Sequence, residues 1–145
     1  MITILKSTEL GLETVNSFIQ GSWINVIDPS PEEIARLQIE LNVPQDFLVS
    51  PLDLDERART EKEEGAILIL IRIPYYQGET SDIPYTTIPL GIILTERFVI
   101  TVCKAKNDIV PELLNGRIKG LSTGKKNRFL LQLLMSTANK YLRYL

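Results

Sequence analysis

The sequence predicts an α/β fold: a mixed, partly antiparallel sheet of six or seven strands with helices on both faces. Three observations predict it. Ala66-Ile67-Leu68-Ile69-Leu70-Ile71 is apolar at every position, as a strand covered on two sides is. Ser30-Pro31-Glu32-Glu33 is a helix start set directly after a strand-like run. From about Lys125 onward the chain is amphipathic at helical spacing.

In chain order, Ile2 to Lys6 is a short β-like run, and Thr8 to Asn16 supplies a second strand. Trp23 to Asp28 is dense in β-branched residues and is broken by Pro29. In the helix that follows, Ser30 is the N-cap, Pro31 suits the first position and Glu33 completes a capping box. Ile34, Leu37 and Leu41 recur on one face, and Asn42 and Pro44 end it. A short helix from Gln45 to about Ser50 follows, with Pro51 disfavouring a helical Ser50.

Arg57, Arg59, Glu61 and Glu63 alternate with Ala58, Thr60 and Lys62, a period of two that suits an exposed edge strand. Gly65 turns the chain into the apolar run, which is expected to be a central strand through Ile73, buried on both sides. Tyr75 to Pro84 reads as a polar loop. Thr86 to Leu94 and Arg97 to Cys103 are two further strands joined by a tight Thr95-Glu96 turn, with Pro89 expected at an edge or bulge. Asn107 or Asp108 caps a short helix closed by Gly116. In the last helix Leu130, Leu134, Ala138 and Leu145 form the expected apolar stripe, flanked by Leu131, Met135 and Leu142. No stop signal punctuates its end, the pattern of a longer helix cut short.

Length and composition exclude several function classes. The 145 residues suit one domain, with strands and short helices over 1–116 and the start of a helical part over 117–145. The net charge of -2 gives no global basic field for nucleic acid. The single cysteine, Cys103, forms no internal disulfide, which favours a reducing compartment. Without histidine there is no histidine base, triad or metal ligand. No apolar run reaches the ~18 residues of a membrane helix. The apolar stretch at the N-terminus is too short for a signal peptide.

Four features invite chemistry. Gly120-Leu121-Ser122-Thr123-Gly124-Lys125-Lys126 has three residues between its glycines where a phosphate loop needs four, and Lys126 replaces the hydroxyl residue. Asp53, Asp55 and Glu56 are the candidate ligands for a hard cation. Arg57 and Ala58 rule out an EF-hand, and the competing expectation is a solvated loop offsetting Arg57 and Arg59. Arg117, Lys119, Lys125, Lys126 and Arg128 form a basic stretch facing solvent, anionic lipid or another subunit. Cys103 and Trp23 are expected in the core. No acid-base or nucleophilic constellation is found, so no enzyme is expected.

Several stretches in order resemble the cytoplasmic N-terminal domain of the CorA-like family of magnesium and divalent cation transporters. They are Trp23 to Ile34, Leu41-Asn42-Val43-Pro44 with Phe47-Leu48, and Leu52 to Glu61 in the place of a Gln/Glu-Arg-Pro-Lys/Arg-x-Glu signature. Pro89 to Leu94, Phe98 to Val102, and Phe129 to Leu134 with Tyr141 complete the set. The resemblance implies an α/β/α sandwich whose C-terminal helix leads toward a stalk, two membrane helices and a Gly-Met-Asn pore motif, all beyond these residues.

It also implies a homopentamer in the full-length protein, with this fragment a monomer or weak dimer. The domain would sit on the cytoplasmic face of the cell membrane, joined to it through the missing C-terminal helices. The transported ion would be Mg2+, with Co2+ or Ni2+ in some members and Zn2+ in a sister branch. No cofactor and no nucleic acid partner are implied. The alternative is a free-standing α/β interaction or ligand-sensing module without transport.

One departure stands out. Members with a regulatory metal site carry Glu-Asp where Val49 and Ser50 stand here, and Asp residues in the helix matching Phe129 to Leu145, which has none. Neither Val nor Ser replaces a carboxylate for a hard cation. Only the nearby Asp53, Asp55 and Glu56 remain as candidates.

Overall fold

The computed structural model describes residues 1–114 and 121–144. Seven strands among them build one sheet: β1 (Ile2–Thr8), β2 (Gly11–Val15), β3 (Trp23–Ile27), β4 (Arg59–Glu63), β5 (Ala66–Tyr76), β6 (Tyr85–Leu94) and β7 (Val99–Cys103). Their order is β2-β1-β3-β7-β6-β5-β4. Every neighbouring pair is antiparallel except β3 and β7, which run parallel with Trp23 opposite Val99 and Ile27 opposite Cys103.

Helices cover both faces, which makes three layers. On one side, α1 (Pro31–Leu41) and α2 (Gln45–Val49) pack Leu37, Leu41, Phe47 and Leu48 against Ile24, Val26, Leu68 and Ile100. On the other, α3 (Ile109–Leu114) and α4 (Lys126–Tyr144) set Ile109, Leu113, Phe129 and Leu133 against Trp23, Ile73, Ile92 and Val99.

The local signals work as expected in α1. Ser30 Oγ accepts from Glu33 N at 3.1 Å, Glu33 Oε1 accepts from Ser30 N at 2.9 Å, and Asn42 ends the helix in a left-handed conformation. In the hairpin joining β4 and β5, Glu64 and Gly65 both have positive φ, 46° and 83°. That is the two-residue geometry matching strand twist. Asn107, and not Asp108, caps α3: its Oδ1 accepts from Ile109 N and Val110 N.

Five expectations need correction. The strand β5 is not central. It lies second from the edge, with Ala66, Leu68 and Leu70 buried but Ile67, Ile69 and Ile71 only half-buried. The strands buried along their whole length are the parallel pair β3 and β7, each sheltered by helices on both faces. Ser50 is helical despite the following proline, with φ -53° and ψ -42°, because a 3-10 turn over Ser50–Leu52 extends α2. Tyr75 and Tyr76 belong to β5, opposite Thr86 and Tyr85, so the polar loop is shorter. The turn after β6 spans Thr95 to Phe98, with Thr95 Oγ1 accepting from Arg97 N and Phe98 N.

The fifth correction concerns the stripe of α4. Its buried positions are Phe129, Leu133, Ser136 and Thr137, with Leu130 and Leu134 partly packed. Leu131, Met135 and Leu142 are 58%, 58% and 70% exposed, and Ala138 is exposed too. The helix is rotated because Phe129 packs on Trp23, with ring centroids 4.9 Å apart and planes tilted by 57°, while Lys126 Nζ donates to Thr95 O at 2.7 Å. Buried Thr137 stays satisfied by donating to Leu133 O. At the far end Glu112 binds Lys140 and Arg143, and Tyr141 donates to Arg72 O. Tyr144 donates to Asp108 at 2.6 Å, a bond that pushes its pKa up to about 12.

Pro89 sits in β6, a strand flanked on both sides, yet costs no ladder bond to β7. The β7 ladder starts one residue later, at Leu90 opposite Cys103, and Pro89 O accepts from the Cys103 thiol. The predicted stop Gly116, the basic residues Arg117 and Lys119, Gly120 and Leu145 lie outside the described residues.

Candidate metal site

The acidic loop Asp53 to Arg57 leaves the 3-10 turn and leads to the edge strand β4. The turn is seated by a close approach: a Cβ on Gly91 of β6 would collide with the Pro51 ring. The loop is folded inward on itself. Asp53 Oδ1 accepts from Asp55 N at 3.0 Å, and Asp53 O accepts from Glu56 N at 3.0 Å. Glu56 Oε1 pairs with Arg59 Nη1 at 2.7 Å, and Arg59 Nε bonds Glu61 at 2.8 Å. These bonds, Glu56 first, hold the Arg59 pKa above its ordinary value.

The residue that organises the loop is Arg72 of β5, a cation inside an otherwise apolar strand. Its Nη1 donates to Leu54 O at 3.0 Å and to Glu56 O at 2.7 Å. Its other nitrogens donate to Thr87 O at 2.8 Å and Thr87 Oγ1 at 2.9 Å. The guanidinium thus takes up two carbonyls of the loop, and its charge opposes a second cation there. Of the three candidate carboxylates, Asp53 accepts from the backbone, Glu56 is paired, and Asp55 alone has no partner among the described residues. No group of three acidic, cysteine or histidine side chains placed to hold a metal occurs among the described residues. Val49 is 42% exposed and Ser50 half-buried, so neither adds a carboxylate nearby.

The remaining sequence features resolve into structural roles. In the glycine-bracketed loop, Thr123 exchanges bonds with Ser7: Thr123 Oγ1 accepts from Ser7 N at 3.1 Å, and Thr123 N donates to Ser7 Oγ at 3.0 Å. The loop therefore clasps β1. Cys103 is buried, and desolvation raises its thiol pKa, the opposite of an activated nucleophile.

Sequence reasoning missed a buried polar relay on the α3/α4 face of the sheet. Trp23 Nε1 donates to Thr101 Oγ1 at 2.8 Å, and Thr101 Oγ1 donates to Asn25 Oδ1 at 3.0 Å. The signal was present in both missed places: Arg72 in Leu-Ile-Leu-Ile-Arg-Ile, and Asn25 in Trp-Ile-Asn-Val-Ile.

The three-layer domain carries its acidic loop ahead of an edge strand and ends on a long helix. The family described as CorA-like Mg2+ transporter protein matches residues 20–145, and the chain belongs to that family. The cobalt/magnesium transport protein CorA of Methanocaldococcus jannaschii is 29% identical over 110 residues, 76% of this chain and 32% of that protein.

Among solved structures, the soluble domain of CorA from Methanocaldococcus jannaschii superposes with a TM-score of 0.78 at 23% identity. The superposition covers 99% of this chain and 58% of that one. The complete CorA magnesium transporter from the same organism gives 0.79 at 21% identity, covering 99% and 46%. The ZntB cytoplasmic domain from Vibrio parahaemolyticus gives 0.74 at 13% identity, covering 98% and 59%. The chain thus spans about a third of the curated relative it matches and about half of the solved ones. Among the described residues, no helix is long and apolar enough to cross a membrane.

Proposed function

We propose that these residues form the cytosolic regulatory and assembly domain of a CorA-like divalent cation transporter. The observation that carries this reading is the family match over residues 20–145, on a fold shared with the CorA soluble domain. The curated relative is a cobalt/magnesium transport protein, which supports Mg2+ as the main transported ion and Co2+ as a second. In this reading all 145 residues form one domain. It lies on the cytoplasmic face of the membrane, held there by pore helices outside these residues, in a homopentamer.

The domain catalyses nothing and needs no cofactor. It biases an assembly between closed and open states through subunit contacts, a shift of population. Regulation through Asp53, Asp55 and Glu56 is weak, because Arg72 and Arg59 already hold the loop.

The test is Mg2+ uptake by the protein encoded by the full reading frame, reconstituted in liposomes containing a Mg2+-sensitive dye. Dye response above protein-free liposomes is expected, from a frame with two apolar segments and Gly-Met-Asn after the first. A frame without those segments, or no uptake, contradicts the proposal. Light scattering on residues 1–145 alone is expected to show a monomer or weak dimer. A discrete pentamer would move the weight of assembly onto this surface.

A further inference from the structure

A cavity of about 250 Å³ opens on the α3/α4 face, beside the C-terminal ends of β3 and β7. Leu5, Ile27 and Val110 give it apolar walls, and each of them is itself buried. Asn25 lies in its lining at 8% exposure, in a strand buried along its whole length.

The relay fixes what Asn25 presents. Trp23 Nε1 has only a proton to give, so Thr101 Oγ1 accepts it, and the Thr101 hydroxyl proton passes to Asn25 Oδ1. The Asn25 carboxamide nitrogen is the end of this chain, and it bonds to no described residue. The cavity rim adds Lys106, an exposed cation with no ion pair among the described residues.

We propose that this cavity binds a small organic carboxylate with an unbranched apolar tail. The carboxylate accepts from the Asn25 amide and pairs with Lys106, and the tail lies against Leu5, Ile27 and Val110. With Asn25 and Lys106 as donors and no acidic side chain in the lining, the cavity selects an anion over a neutral or cationic head. At the ~30 Å³ that a water molecule occupies in the liquid, the volume holds roughly eight non-hydrogen atoms. Hexanoate has that size.

The experiment is a titration of the methyl signals of Leu5, Ile27 and Val110 by NMR, using the 145-residue chain. Hexanoate is the probe, with 1-hexanol and hexylamine as controls. Saturable shifts with a Kd of about 1 mM are expected for hexanoate, and binding at least about tenfold weaker for both controls. Lys106→Glu, an exposed change that leaves the core alone, is expected to weaken hexanoate by about fivefold or more. Asn25→Asp, which replaces the donor by an acceptor, is expected to weaken it by about tenfold or more. Hexanol binding as tightly as hexanoate, unchanged affinity in Lys106→Glu, or no saturable shift up to ~20 mM hexanoate would each overturn the proposal.

Discussion

Two polar regions of this domain contrast. The acidic loop over 53–57 is conspicuous in sequence, yet most of its groups are already spent: Glu56 on Arg59, Asp53 on Asp55 N, and two carbonyls on Arg72, with Asp55 left over. The relay of Trp23, Thr101 and Asn25 is hidden among apolar residues, yet it ends on an unspent donor beside a cavity. Density of charge therefore marks a solvated, internally paired turn here. An isolated polar side chain inside an apolar strand marks a place where the fold commits a costly group to one position.

The contrast breaks first at Arg72. Arg72→Met removes four hydrogen bonds, three of them to main-chain carbonyls of the loop and of Thr87, and leaves those acceptors to find water. We expect a loss of about 2–4 kcal/mol in urea unfolding, with faster amide exchange over the loop. Near-normal stability would mean that the loop is held by its own turns alone. The relay gives the next largest effect. Thr101→Val is nearly isosteric but strands Trp23 Nε1 and Asn25 Oδ1, so a loss of about 2 kcal/mol is expected by the same measurement, with altered Trp23 fluorescence.

Those two sites also show where sequence stops being legible. Local signals were sufficient wherever one residue decides one bond: the Ser30 and Glu33 capping box, the Glu64-Gly65 hairpin, the left-handed Asn42, and the alternating edge strand β4. They failed where a face is chosen by distant partners. In α4 large apolar residues occur on more than one face, with Leu131, Met135 and Leu142 outside the buried side, so that side is decided by Trp23 against Phe129 and by Thr95 against Lys126, more than 30 residues earlier in the chain. The strand β5 has the composition of a central strand, yet the strand order puts β7 and β3 at the centre. The candidate carboxylates lie in a loop, but the Arg72 guanidinium beside it comes from a strand 16 or more residues later.

A smaller effect tests the local end of this account. Ser30→Ala removes the cap accepting from Glu33 N and is expected to cost about 1 kcal/mol. Glu33 adds a pH dependence, because bonds from the Ser30 amide, and then from the N-terminal ammonium, hold its carboxyl below the ordinary value of 4.5. A depressed carboxylate stabilises the folded state above its unfolded pKa, and that contribution is lost as pH falls through the folded pKa. The stability difference between the native chain and Glu33→Gln should therefore be present at pH 7 and shrink below about pH 4.5. A difference independent of pH would remove the carboxylate from the cap.

The smallest expected effect bears on the central contrast most directly. Thermal unfolding of the chain in ~10 mM Mg2+, compared with Na+ at matched ionic strength, reads whether the acidic loop is a spent turn or a cation site. A site occupied at 100 times its Kd would add about 2.7 kcal/mol and raise Tm by roughly 5–10 °C. No Mg2+ shift beyond the Na+ control is expected. A shift of several degrees, specific to divalent ions and abolished by Asp53→Asn with Asp55→Asn, would contradict it and make the loop a sensor.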